Sequence, residues 1–180
     1  VITCTSTAGR EEVLRRGLTT RAFLLPHDLT GPVNRVIDRI APGIVVISET
    51  EIWPMLLLSL ATRGIPVMIV NGRISDRTIN RYLKLRPFLK PVLAGIEKFL
   101  VQTELDAERF VKIGAAESKV VVTGSSKYDA EINPLNMVER ARLNLELGLE
   151  LNDPVFVAGS VRPGEDEDII AAYLEARKSV

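Results

Sequence analysis

Ile44-Val45-Val46-Ile47-Ser48-Glu49-Thr50-Glu51-Ile52-Trp53-Pro54 is the stretch on which the fold turns. The β-branched run Ile44 to Ser48 reads as a strand, and Pro54 sits where a first helical position tolerates proline. A helix over Pro54 to Arg63, closed by Gly64, then leads to a second β-branched run at Val67 to Val70. Strand, helix, strand at this spacing is a βαβ unit, which makes the two strands parallel.

The same step repeats on either side. Strands are predicted at Val1 to Thr5, Ala22 to Leu25, Ile44 to Ser48, Val67 to Val70, Lys98 to Val101, Val120 to Thr123 and Pro154 to Ala158. Helices are predicted at Arg10 to Arg16, Pro32 to Ile40, Pro54 to Arg63, Arg77 to Ala94, Glu104 to Ile113, Leu135 to Leu147 and Gly164 to Lys178. Pro87 and Pro91 should divide Arg77 to Ala94 into two helices. Thr103 with Asp106 resembles a capping box, and Gly114 suits the residue that ends that helix. Several strands are apolar on both faces, as expected between helix layers. The fold class is therefore α/β with a parallel sheet. The pattern weakens after Thr123, so a boundary is expected near Ile132, with residues 1–132 as one domain and 133–180 as the start of another.

Composition narrows the function classes. The 180 residues are 46% hydrophobic and 26% charged, the balance of a globular protein. Lys+Arg and Asp+Glu are both 23, which leaves no basic field to attract nucleic acid. With Cys4 the sole cysteine and His27 the sole histidine, a disulfide framework, a CxxC zinc site and a His-rich metal centre are all excluded, and the compartment should be reducing. The longest apolar stretches fall short of the roughly 20 residues that span a bilayer. Val1 opens inside a strand without a lead-in, from which an upstream segment is expected.

In open α/β sheets ligands bind beyond the carboxyl ends of the strands, so the loops there are the candidate site. Glu49 and Glu51 can accept hydrogen bonds from sugar hydroxyls, and Trp53 offers a face to a sugar ring; equally, the acids could cap the next helix with Trp53 packed as a plug. In Asn71-Gly72-Arg73-Ile74-Ser75, Arg73 could grip a phosphate or carboxylate, or lie in water beside a plain turn capped by Ser75. Gly124-Ser125-Ser126-Lys127 could bring backbone N–H groups and a cation to an anion, or serve as a linker. Gly159-Ser160-Val161-Arg162-Pro163-Gly164 could hold phosphate oxygens at a helix start, although the acids at 165–168 favour the helix dipole and repel a phosphate. Ser and Thr at 5–7 serve equally as caps, and His27 beside Asp28 reads as a surface or loop-fixing residue rather than a catalytic base.

The order and spacing of these loops carry a resemblance. Thr5-Ser6-Thr7-Ala8-Gly9-Arg10-Glu11, Leu24-Leu25-Pro26-His27-Asp28-Leu29, Glu49-Thr50-Glu51-Ile52-Trp53-Pro54, Arg63-Gly64-Ile65-Pro66, Asn71-Gly72-Arg73-Ile74-Ser75, Gln102 to Phe110, Gly124 to Asp129, and Gly159-Ser160 with Gly164-Glu165 together resemble the 3-deoxy-D-manno-octulosonic acid (Kdo) transferases of lipopolysaccharide synthesis. That family more often has an aromatic at 27, Ala at 72 and His at 162.

The resemblance implies a GT-B fold, two facing Rossmann-like domains with helices on both faces of each sheet. It implies transfer of Kdo from the donor CMP-Kdo to a hydroxyl of a lipid A precursor, by inverting displacement and without metal or other cofactor. Glu49, Glu51, Trp53 and Arg73 would then serve the acceptor, and Gly124, Ser125, Lys127, Ser160 and Arg162 the donor or its anion. The family's catalytic base is a Glu in a Ser-x-Gly-Glu segment, expected upstream of Val1, so the 180 residues alone should be inactive. Peripheral contact with the inner membrane is implied, at its cytoplasmic face, or anchoring through the N-terminus. Other readings are a different GT-B sugar transferase or epimerase, which a nucleotide other than CMP would reveal, and a non-catalytic Rossmann-like binding domain, which absence of the base segment from the full gene would reveal.

Overall fold

The computed structural model describes residues 1–129, 134–150 and 153–178. The chain separates into two compact units, Val1–Ala130 and Glu131–Val180, and the boundary expected near Ile132 lies outside the described residues.

The first unit is α/β and wholly parallel, with β1 Ile2–Cys4, α1 Thr7–Arg15, β2 Ala22–Leu24, α2 Thr30–Ile40, β3 Val45–Ser48, α3 Pro54–Thr62, β4 Val67–Gly72, α4 Asp76–Lys84, α5 Arg86–Ala94, β5 Lys98–Val101, α6 Glu104–Ile113 and β6 Val120–Val122. The strands form two sheets, β1-β2 and β3-β4-β5-β6. Between the facing edges of β1 and β3 lies a cavity of about 560 Å³ lined by Ile2, Leu25, Val36, Ile40, Val45 and Leu60 among others, so the single sheet of the expectation is split there.

Burial alternates along the strands of the larger sheet. Val67, Ile69, Phe99 and Val101 point into the core with Leu57, Leu60, Val92, Leu93 and Phe110 from the helices. Val46 and Val121 on the other side stay exposed, so the expected burial on both faces does not hold for β3 and β6. Close packing favours glycine at several points: a Cβ at Gly95 would lie 2.7 Å from the Ala61 Cβ where α3 meets α5, one at Gly114 would lie 2.9 Å from the Lys90 Cβ, and one at Gly72 would meet the Phe110 ring at 3.1 Å.

Helix ends follow local chemistry. Ser6, Ser75 and Thr103 each accept a backbone N–H from the first turn of α1, α4 and α6. Gly64 (φ +66) and Gly114 (φ +121) follow α3 and α6 in backbone conformations that suit glycine. The break between α4 and α5 falls at Leu85, with Pro87 in the tolerant first turn of α5; Pro91 lies inside α5 and does not end it. In the second unit, α7 Met137–Leu147 carries a full capping box from Asn136 and Glu139, and α8 is Asp166–Arg177. The strand expected at Pro154 to Ala158 does not form: a strand exists only by pairing, and no described residue of this unit pairs with it.

Candidate functional site

The carboxyl ends of β3, β4 and β5 place their loops side by side. At the end of β3, Glu49 donates its N–H to the Val70 carbonyl (2.8 Å) and turns the chain at φ +64. Asn71, next to it on β4, sits at φ +56. Asn commonly tolerates the left-handed region, but Glu does so at a cost, and such strain collects where function dictates geometry. The loops are tied to one another. Thr50 Oγ1 donates to the Arg73 carbonyl and accepts the Arg73 N–H at 2.8 Å. Gln102 Nε2 donates to the Asn71 carbonyl (3.1 Å), and Asn71 Oδ1 accepts the Ser126 N–H (3.2 Å), which holds the 3₁₀ turn Ser126–Asp129 against β4. That turn is pinned rather than a free linker.

Two buried or half-buried carboxylates brace this framework. Asp106 is 5% exposed; its Oδ1 accepts the Ile74 N–H (2.9 Å) and its Oδ2 the Thr103 hydroxyl (2.6 Å). Arg109 donates to the Ile74 carbonyl and pairs with Asp76. Asp28 accepts the N–H groups of Met55 (3.0 Å) and Leu56 (2.9 Å), so it caps α3 from the loop between β2 and α2. The cap that Glu49 or Glu51 could have supplied is thus already provided; of the two readings of His27 the surface one holds, since it is exposed, and its neighbour Asp28 makes the contact to α3.

What this leaves open is a cavity of about 290 Å³ lined by Glu49, Glu51, Arg73, Arg81, Gln102 and Lys127, with Thr50, Ser75, Thr78 and Tyr82. Among the described residues neither Glu49 nor any of the three cations is in a salt bridge or side-chain hydrogen bond (that is, apart from backbone bonds), and Glu51 accepts only the Trp53 indole N–H, at 3.1 Å. Burial raises the Tyr82 phenol above its ordinary 10.0, the charge of Arg81 working against this and that of Glu51 with it. A mixed set of free cations, carboxylates and amide groups suits a hydroxyl-rich ligand that also bears acidic groups.

Glu49, Glu51, Arg73 and Lys127 therefore share one cavity. The Trp53 ring does not line it: it borders a small apolar hollow with Leu25, Pro26, Val33 and Val36, and its contribution at the rim is the bond to Glu51. Gly124 (φ +84) and Ser125 shape the turn before Lys127 without lining the cavity. Ser160 (φ +58) and Arg162 lie in the second unit, where the Arg162 N–H donates to Glu165 Oε2 (3.0 Å) at the start of α8. Arg81, Tyr82 and Gln102 are additions to the set. Gln102 directly follows β5, so the strand-end rule points to it, and Ser75, Thr78 and Tyr82 lie at helical spacing on one side of α4.

The chain matches the family described as 3-Deoxy-D-manno-octulosonic-acid transferase (kdotransferase) over residues 1–130. A bifunctional glycosyltransferase/methyltransferase of Fusobacterium nucleatum is 34% identical over 160 residues, 89% of this chain and 25% of that protein. The 3-deoxy-D-manno-octulosonic acid transferases of Haemophilus influenzae and Bordetella pertussis are each 31% identical, covering 84% and 98% of this chain and 35% and 40% of theirs. The chain thus spans between a quarter and two fifths of the length of these relatives. Parallel βα units, the strand-end loops and the match over the whole first unit agree: the chain belongs to the Kdo transferase family.

Proposed function

We propose that this chain supplies the acceptor-side part of an enzyme that transfers Kdo from CMP-Kdo to a hydroxyl of a lipid A precursor. The observation that carries the reading is the rim cavity, where Glu49 is relieved of any capping duty by Asp28 and faces Arg73, Arg81 and Lys127 across a space open to a sugar. In the reaction, the acceptor oxygen bonds to the anomeric carbon as that carbon's bond to the cytidylate phosphate breaks. The electron pair leaves with CMP and the hydroxyl proton passes to a base. No Ser-x-Gly-Glu segment occurs in the 180 residues. Glu49 and Glu51 are accordingly assigned to orienting hydroxyls, and Arg73, Arg81 and Lys127 to acidic groups on the sugars. Contact with the inner membrane at its cytoplasmic face follows from a lipid-borne acceptor, and no cofactor is required.

The test is donor competition in the longer enzyme that contains this chain. CMP-Kdo should support transfer to a lipid A precursor, and other sugar nucleotides should not. Turnover with a different nucleotide sugar, and none with CMP-Kdo, would make the protein another kind of GT-B enzyme.

A further inference from the structure

β4 closes at Gly72, so the backbone N–H and C=O groups of Arg73 and Ile74 lie just beyond the sheet ladder. Such groups need other partners, and here side chains supply them all. Asp106 accepts the Ile74 N–H and Arg109 donates to the Ile74 carbonyl. A single atom, Thr50 Oγ1, serves both groups of Arg73: it accepts the N–H at 2.8 Å and donates to the carbonyl. A hydroxyl can do both because it carries one proton and two lone pairs; a carboxylate cannot donate, and a valine methyl can do neither.

The two clamps hold the loop to different things. Asp106 is buried and Ile74 belongs to the hydrophobic core, so their bond fastens the loop to the body of the unit. Thr50 stands outside that core and between Glu49 and Glu51, so its clamp ties the loop that carries the acids to the loop that carries the arginine. On the other side of Glu49, the Glu49 N–H is held by the Val70 carbonyl at 2.8 Å. The left-handed Glu49 (φ +64) is thus caught between two attachments to β4 and the loop after it, which is how a strained backbone persists.

We infer that Thr50 is a positioning residue, which fixes the backbone from which Glu49 and Glu51 on one side and Arg73 on the other project to the rim cavity. Its proton is given to the Arg73 carbonyl, so it has none to offer a ligand and acts through its neighbours. A ligand whose hydroxyls meet the acids and whose acidic group meets Arg73 touches both loops at once. Holding the two loops in register lowers the ordering cost of reaching the productive geometry. The role rests on the acceptor reading above.

The experiment is acceptor kinetics in the longer enzyme with Thr50→Val, which keeps the shape and loses the hydroxyl, and Thr50→Ser, which keeps the hydroxyl. Thr50→Val should lower kcat about tenfold to a hundredfold, with the acceptor KM changed less than about threefold because no bond to the ligand is removed. Thr50→Ser should stay within about threefold of the parent in kcat, since the clamp remains. Both variants should melt within about 3 °C of the parent, because water can replace a bond at an open rim. In an Arg73→Gln background Thr50→Val should cost less than about threefold more, the two acting as one unit. Thr62→Val removes a hydroxyl bond to the Ser59 carbonyl on α3, away from the cavity, and should leave kcat unaltered. Parental kcat in Thr50→Val, a Thr50→Ser variant as slow as Thr50→Val, or losses that simply multiply with Arg73→Gln would overturn the inference. If Glu49→Gln or Glu51→Gln loses transfer while Thr50→Val keeps it, the positioning role fails and the acceptor site stands; if neither glutamate variant loses transfer, the acceptor reading itself fails.

Discussion

Asp28 and Asp106 differ from Glu49 and Glu51 in what they hold. The two aspartates are buried or half-buried: Asp28 spends both oxygens on backbone N–H groups of α3, and Asp106 spends one on the Ile74 N–H after β4 and the other on the Thr103 hydroxyl. The two glutamates are exposed at a strand end, accept no backbone hydrogen bond among the described residues, and face a cavity. One pair maintains the geometry of the loops; the other is presented by it. Carboxylates in one fold can thus be separated by their partners into a set that braces the backbone and a set left open at a cavity.

The largest effect should come from the buried member. Asp106→Ala strands the Ile74 N–H and the Thr103 hydroxyl and should cost about 3 kcal/mol by urea unfolding. Unchanged stability would dissolve the distinction. Asp28→Ala removes the cap of α3 and should cost about 1–2 kcal/mol, while Asp28→Asn, which retains one acceptor, should recover part of it. Gly95→Ala is a control outside both sets: the 2.7 Å approach to Ala61 forces α3 and α5 apart and should cost about 1–3 kcal/mol. Glu49→Gly should go the other way and stabilise by up to about 1 kcal/mol, because glycine relieves the φ of +64. A stability gain joined to lost function is the signature of a residue held in place for its chemistry.

Tyr82 gives the smallest and most local test. Its phenol is raised by burial, with Arg81 lowering it and Glu51 raising it, so Glu51→Gln should let it ionise at lower pH and Arg81→Gln at higher pH, followed by tyrosinate absorbance. Because the folded state favours the neutral phenol, its contribution to stability is complete below the ordinary 10.0 and is lost as pH rises through the folded value.

Much of this was legible in the residues themselves. β3, β4 and β6 follow from short β-branched runs and β5 from a short apolar one, and Ser75, Thr103, Pro54 and Gly64 mark helix ends because caps are local chemistry. The strand-end rule singled out the loops that carry Glu49, Glu51, Arg73 and Lys127, but it set Lys127 with the donor residues, and the shared cavity appears only in the fold. Contacts across long sequence separations were not legible. Asp28 reaches α3 across more than a helix, and nothing local to His27-Asp28 announces it. Trp53 turned from the rim to a hollow beside α2 because the register of α3 decides which way the indole faces. The run Pro154 to Ala158 has strand composition, but pairing is a tertiary property that composition does not supply.

The central claim is that Glu49 and Glu51 serve a bound sugar and not the fold. Glu49→Gln and Glu51→Gln, made separately in the longer enzyme, should be assayed side by side for Kdo transfer to a lipid A precursor and for thermal unfolding. The account predicts that at least one loses tenfold or more in rate, about 1.4 kcal/mol of transition-state stabilisation, while both melt within about 2 °C of the parent. Full transfer by both variants, or a fall in activity matched by an equal fall in melting temperature, would contradict it.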